Sequence, residues 1–152
     1  ALAKWDVDPS RLEIEITEST MLDDPFRTKV VLDKLSEMGI RLSIDDFGTG
    51  YSSLAYLKRL DVDELKIDRS FVMNLASAPS DAVIVRSTID LAHNLGMNVV
   101  AEGVEDRTAQ DKLVEYGCDS AQGYYVSPPG PADEITAWLM DSPFGAPSGV
   151  RT

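Results

Sequence analysis

Five short runs of alternating apolar and polar residues, separated by longer amphipathic stretches, set the strongest limit on what this chain can fold into. The runs cover residues 12–17, 41–45, 64–68, 98–102 and 121–126, and the amphipathic stretches cover 25–38, 52–60, 81–95, 108–116 and 132–140. Strand feeding helix feeding strand is the mark of βα units and a parallel sheet. Gly39, Gly96 and Gly117 each follow a helical stretch by one position and lead toward the next run, where a left-handed residue is wanted. A frayed tail is expected over 142–152, which is rich in Pro, Gly and Ser.

The alternation itself is unusual, because parallel strands covered by helices on both faces read as near-continuous Val, Ile and Leu. Here Leu12, Ile14 and Ile16 lie opposite Glu13, Glu15 and Thr17, while Leu42 and Ile44 lie opposite Ser43 and Asp45. Leu65 and Ile67 lie opposite Lys66 and Asp68, Val99 and Ala101 opposite Glu102, and Ala121 and Gly123 opposite Gln122. If the apolar parity meets the helices, Glu15, Asp45, Lys66, Glu102 and Gln122 share the other face, each near the carboxyl end of its run. In a closed β/α barrel that face is the interior, and strand carboxyl ends carry the chemistry.

Composition narrows the ligand. The net charge of −12 argues against a grip on a nucleic-acid polymer or an anionic lipid surface, so a phosphate ligand calls for metal ions between it and the protein. No stretch approaches the roughly 18 apolar residues of a membrane span, and the first residues lack the pattern of a signal peptide. The one cysteine, Cys118, reads as a small buried residue and fits a reducing cytoplasm.

Carboxylates gathered with one ammonium on a sheet interior need a cation. All-oxygen ligands suit Mg²⁺ or Mn²⁺, and the adjacent pair Asp45-Asp46 suits two ions, one carboxylate bridging them. Such a pair of ions serves in-line phosphoryl displacement by water. Lys66 then orients or deprotonates the water or neutralises the phosphate; the plainer reading is an ion pair with a neighbouring carboxylate. The loop after Asp46 holds Gly48 and Gly50 and runs into Ser52 and Ser53, candidate helix caps. His93 sits mid-helix and reads as a surface or packing residue. Tyr124 and Tyr125 read as strand residues, Tyr124 on the parity of Gln122.

The segments Glu13-Ile14-Glu15-Ile16-Thr17-Glu18-Ser19, Ile44-Asp45-Asp46-Phe47-Gly48-Thr49-Gly50-Tyr51-Ser52-Ser53-Leu54, Lys66-Ile67-Asp68-Arg69-Ser70-Phe71, Val100-Ala101-Glu102-Gly103-Val104-Glu105 and Gln122-Gly123-Tyr124 together resemble the EAL-domain family of cyclic-di-GMP phosphodiesterases. The resemblance implies an α/β fold, a parallel β/α barrel of modified TIM type. It also implies hydrolysis of cyclic di-GMP to linear pGpG with Mg²⁺ or Mn²⁺, two ions in a complete domain. It makes Glu15 and Asp45 metal ligands, Asp45 bridging, with Asp46 and Glu102 serving the second ion. Lys66 contacts the nucleophilic water, Gln122 assists, Glu105 is a supporting carboxylate and Glu18 holds the loop from Asp46 to Leu54. Partners implied are cyclic di-GMP, a second copy of the chain, and an upstream sensory or GGDEF-type domain in a parent protein that is cytoplasmic or membrane-tethered.

The Glu-Ala-Leu motif of that family and a metal-binding Asn that follows it, both upstream of the Glu-x-Thr-Glu segment, do not occur here. With about five βα units, residues 1–141 are therefore expected to be the C-terminal portion of such a domain, incomplete as a barrel and inactive or weak alone. Two other readings stand beside it: a non-catalytic cyclic-di-GMP-binding or interaction module, and an enolase-type barrel in which Lys66 abstracts a proton.

Overall fold

Each alternating run forms a strand in the computed structural model, which describes residues 2–50 and 54–144. The strands are β1 (Glu13–Thr17), β2 (Arg41–Phe47), β3 (Glu64–Ile67), β4 (Asn98–Glu102) and β5 (Ser120–Gln122). All pair in parallel, and the sheet order β1-β2-β3-β4-β5 is the chain order. That progression is the one a β/α barrel uses, whereas a doubly wound sheet reverses direction at a switch point.

The helices are α1 (Glu18–Asp23), α2 (Pro25–Glu37), α3 (Leu54–Leu57), α4 (Arg69–Val72), α5 (Pro79–Asn94), α6 (Arg107–Tyr116) and α7 (Ala132–Asp141). Aspartates start several of them: Asp24 accepts from the Arg27 N–H at 3.1 Å and Asp106 from the Ala109 N–H at 2.8 Å. Gly39, Gly96 and Gly117 have φ of 80°, 82° and 77°, as the helix–Gly–strand pattern predicts. The apolar parity meets the helices. Ile44, Leu65, Ile67, Val99 and Ala101 are buried in one cluster with Val85, Ile89 and Ala92 of α5 and with Ala109 and Leu113 of α6. Each such Leu or Ile contributes roughly 1.5–3 kcal/mol by leaving water.

Carboxylates also fix the strands laterally at their amino ends. Asp63 accepts the Leu42 N–H at 2.8 Å, and Asp119 accepts the Val99 N–H at 2.8 Å while holding His93 Nε2 at the same distance. His93 thus has a partner far from the strand carboxyl ends.

Several boundaries differ from the sequence reading. Asp68 leaves β3 and caps α4, its carboxylate accepting from the Ser70 N–H at 3.0 Å, while Thr17, the last residue of β1, caps α1 with its hydroxyl, which accepts from the Thr20 N–H at 3.4 Å. Neither helix has the length to show a 3.6-residue period. β5 stops at Gln122, so Tyr124 and Tyr125 are turn residues: the Val126 and Ser127 N–H groups bond back to Gly123 O at 3.0 and 3.1 Å. β2 continues two residues past Asp45. The Ser52 and Ser53 caps and positions 145–152 of the tail lie outside the described residues. Among the described residues, no helix is long and apolar enough to cross a membrane.

Candidate metal centre

β2 carries an irregularity where the chemistry gathers. Its register with β3 runs Ser43↔Glu64, Ile44↔Leu65, then Phe47↔Ile67, so Asp45 and Asp46 together face the single residue Lys66. This is a β-bulge, which bends the strand and re-aims its side chains. Strict alternation sends Asp46 toward the helices. With the bulge, and with Asp46 in the left-handed region at φ 56°, carboxylate oxygens of Asp45, Asp46 and Glu102 lie within 4.8 Å of one another.

Lys66 reaches into the same group from β3. Its ammonium lies 2.6 Å from Glu102 Oε1, 2.8 Å from Glu15 Oε1 and 3.8 Å from Asp45 Oδ1. Burial alone would weaken its hold on a proton, but the hydrogen bonds to Glu102 and Glu15 and the charges of Glu102 and Asp45 outweigh it and raise the pKa above the usual lysine value. With the carboxylates free of metal, Lys66 is held as a cation between Glu15 and Glu102. The plain ion-pair reading of Lys66 describes the protein as it stands, and the pairs it makes are with the expected site residues.

The cluster is short of positive charge. Asp45 Oδ1 is buried and accepts no hydrogen bond, although a buried carboxylate oxygen requires a partner. Partial burial, then the charges of Asp45 and Asp68, push Asp46 above the ordinary carboxylate range. Three convergent carboxylates with an orphan oxygen and, among the described residues, one ammonium fit a hard divalent cation.

The remaining candidates fall at different removes. Gln122 pairs in register with Glu102 and stands at the edge of the cluster on β5. Glu18, at the start of α1, is buried, and its Oε2 accepts from the Gly48 and Gly50 N–H groups at 3.1 and 3.3 Å, so it holds the loop that follows β2. Glu105 is exposed after β4 and, among the described residues, enters no hydrogen bond or ion pair. A groove of about 420 Å³ between α2 and α3, lined by Phe26, Val30, Tyr56 and Arg59, contains none of these residues. Cys118 is half-buried; burial pushes its thiol up to about 11, which suits packing and not reactivity.

A second charged layer lies one same-face step toward the amino ends. Arg41 is 3.5 Å from Glu13 and 3.4 Å from Glu64. Desolvation and the nearby Glu13 carboxylate raise the pKa of Glu64. The parity that exposes Glu15 and Lys66 as site residues also marks Glu13, Arg41 and Glu64, so this layer was open to the same argument.

The EAL domain family model matches residues 1–129. A similar curated protein is the bifunctional diguanylate cyclase/cyclic di-GMP phosphodiesterase MucR of Pseudomonas aeruginosa, 48% identical over 137 residues that make up 90% of this chain and 20% of that protein. A solved PaMucR phosphodiesterase in complex with c-di-GMP superposes with a TM-score of 0.86 at 48% identity, over 88% of this chain and 54% of that one. The manganese/cy-diGMP complex of Klebsiella pneumoniae BlrP1 superposes with a TM-score of 0.79 at 34% identity, over 84% of this chain and 33% of that one. This chain thus spans about a fifth of the curated MucR and about half of the solved PaMucR chain.

Proposed function

The chain belongs to the EAL domain family, and from that footing we propose that its site serves metal-dependent hydrolysis of cyclic di-GMP to linear pGpG. The observation that carries this reading is the bulge of β2, which turns Asp45 and Asp46 together toward Glu102 and Lys66. Asp45, Asp46 and Glu102, with Glu15 beside them, would hold Mg²⁺ or Mn²⁺. When bound, a divalent cation supplies positive charge to the phosphodiester oxygens and acidifies a water.

The chain's own residues do the rest. Lys66, paired with Glu15 and Glu102, is placed to orient the attacking water and to offset phosphate charge. The adjacent carboxylates of Asp45 and Asp46 suit a two-ion site better than an enolase-type one. Gln122 offers an amide at the rim, Glu18 keeps the loop after Asp46 in place, and Glu105 is at most a supporting charge. As a 152-residue unit the chain is expected to turn over slowly. Its sheet is open at β1, and Glu15 on that edge is about half exposed, which weakens water exclusion around the site. MucR is a bifunctional diguanylate cyclase and cyclic di-GMP phosphodiesterase, and a GGDEF-type cyclase domain joined to this chain would supply the dinucleotide.

The test is chromatographic detection of pGpG from cyclic di-GMP and Mn²⁺. Slow formation abolished by Asp45→Asn supports the reading, and formation that Asp45→Asn leaves unchanged overturns it. Binding of the dinucleotide without turnover would favour a sensing module. Calorimetric Mn²⁺ binding should vanish in Asp45→Ala/Asp46→Ala and persist in His93→Ala.

A further inference from the structure

β1 and β3 are not neighbours in the sheet, since β2 runs between them. Strands lie about 4.8 Å apart, so a contact from β3 to β1 has to cross roughly 9–10 Å over the face of β2. Lys66 makes that crossing, its ammonium 2.8 Å from Glu15 Oε1. The register shows what lies under the path. Ser43 of β2 is paired with Glu15 on one side and with Glu64, one same-face step below Lys66, on the other. Along β2 the same face carries Arg41 below Ser43 and Asp45 above it.

Ser43 is thus ringed by charged side chains, and it is fully buried. Its hydroxyl has no hydrogen-bond partner. An unpartnered buried hydroxyl works against folding, so hydrogen bonding does not account for serine at this position. Size does. A side chain ending at Oγ would leave the face of β2 low enough for the Lys66 stem to pass over it, whereas branched γ carbons would fill that passage.

We propose that Ser43 is a positioning residue, whose small side chain opens the passage across β2 by which Lys66 reaches Glu15. The inference deepens the proposed function, because it concerns where the water-orienting ammonium is held. It does not depend on turnover, and its test reads the ion pair directly.

The experiment is ¹H–¹⁵N correlation of lysine ammonium groups in the metal-free 152-residue chain at neutral pH. A buried ammonium paired with Glu15 and Glu102 exchanges slowly and gives a sharp resonance, while exposed lysines are lost to exchange with water. Lys66→Ala assigns the signal, and the amide spectrum of each variant reports the fold. Ser43→Ala should retain the Lys66 resonance at its wild-type shift. Ser43→Val and Ser43→Leu should abolish or displace it with the amide spectrum of the sheet preserved. If the leucine variant fails to fold, valine and threonine, both favoured in strands, carry the size series. Persistence of the unshifted resonance in Ser43→Val overturns the proposal, and so does its loss in Ser43→Ala, which would make the hydroxyl and not the size decisive. Because no substrate is present, a failed hydrolysis assay leaves this result intact.

Discussion

Lys66 on β3 donates to Glu102 on β4 at 2.6 Å, and this pair binds the two halves of the charged face together. It neutralises one carboxylate of a group that has several more, so the site without its lysine would repel itself. Lys66→Met should lower stability by about 2 kcal/mol in chelator, less than a fully buried pair because Glu15 and Glu102 are partly in water. Mn²⁺ should raise the melting temperature of this variant more than that of the wild type, since the ion takes over part of the neutralisation. Equal Mn²⁺ shifts in calorimetric melts of the two proteins would refute the argument.

Gly123 is wedged against the loop after β4. A Cβ there would lie 2.2 Å from Val104 O and 2.4 Å from Val104 N, and backbone cannot retreat as a flexible side chain does. The same Val104 groups bond to Gln122 O at 3.1 Å and to the Tyr125 N–H at 3.0 Å. Gly123→Ala should cost about 3 kcal/mol and remove hydrogen-exchange protection at the Val104 and Tyr125 amides. Protection at wild-type levels would contradict the close contact.

Acid should loosen the β4–β5 side first at Asp119. Burial raises its pKa, but the hydrogen bonds from His93 and from the Val99 N–H outweigh that, and the folded value lies below the ordinary one. A depressed carboxylate contributes stability that is complete above its unfolded value near pH 4 and disappears as pH falls through the folded value. Both side chains are about two-fifths exposed, so the effect is modest, about 0.5 kcal/mol. Melts of Asp119→Asn between pH 6 and about 3 should fall less steeply than those of the wild type; identical slopes would remove Asp119 from the account.

Association is the expected response to two open edges. Among the described residues, β1 pairs only with β2 and β5 only with β4, which leaves ladder groups free on each side. Light scattering should show a mass above the monomer that grows with concentration. A monomer at every concentration, with a melt independent of concentration, would show that the edges are covered by the chain itself.

Much of the site was legible because strand periodicity is rigid. Alternation alone places Glu15, Asp45, Lys66, Glu102 and Gln122 on one face, and Lys66 indeed touches Glu15 and Glu102 and approaches Asp45. Alternation would turn Asp46 away, and its place in the site was read from its adjacency to Asp45 and from the family resemblance; the bulge is the physical reason, and its trace is in the sequence. Ile44 and Phe47 both enter the core though they stand three apart, an odd spacing that a regular strand cannot bury on one face. The capping carboxylate of Asp68 and the turn at Gly123 escaped the strand pattern because each is set by a local backbone contact.

The left-handed backbone at Asp46 separates two properties that site mutagenesis usually changes together. Asparagine and glycine tolerate that conformation and carry no charge, so Asp46→Asn subtracts an electrical contribution from an intact shape. A β-branched residue at 46 would resist the conformation, and deletion of either aspartate would abolish the two-against-one pairing with Lys66. The convergence of the two carboxylates is written into chain length as much as into residue identity. An insertion or deletion within this short segment would therefore do harm that no choice of side chain at 45 or 46 could repair.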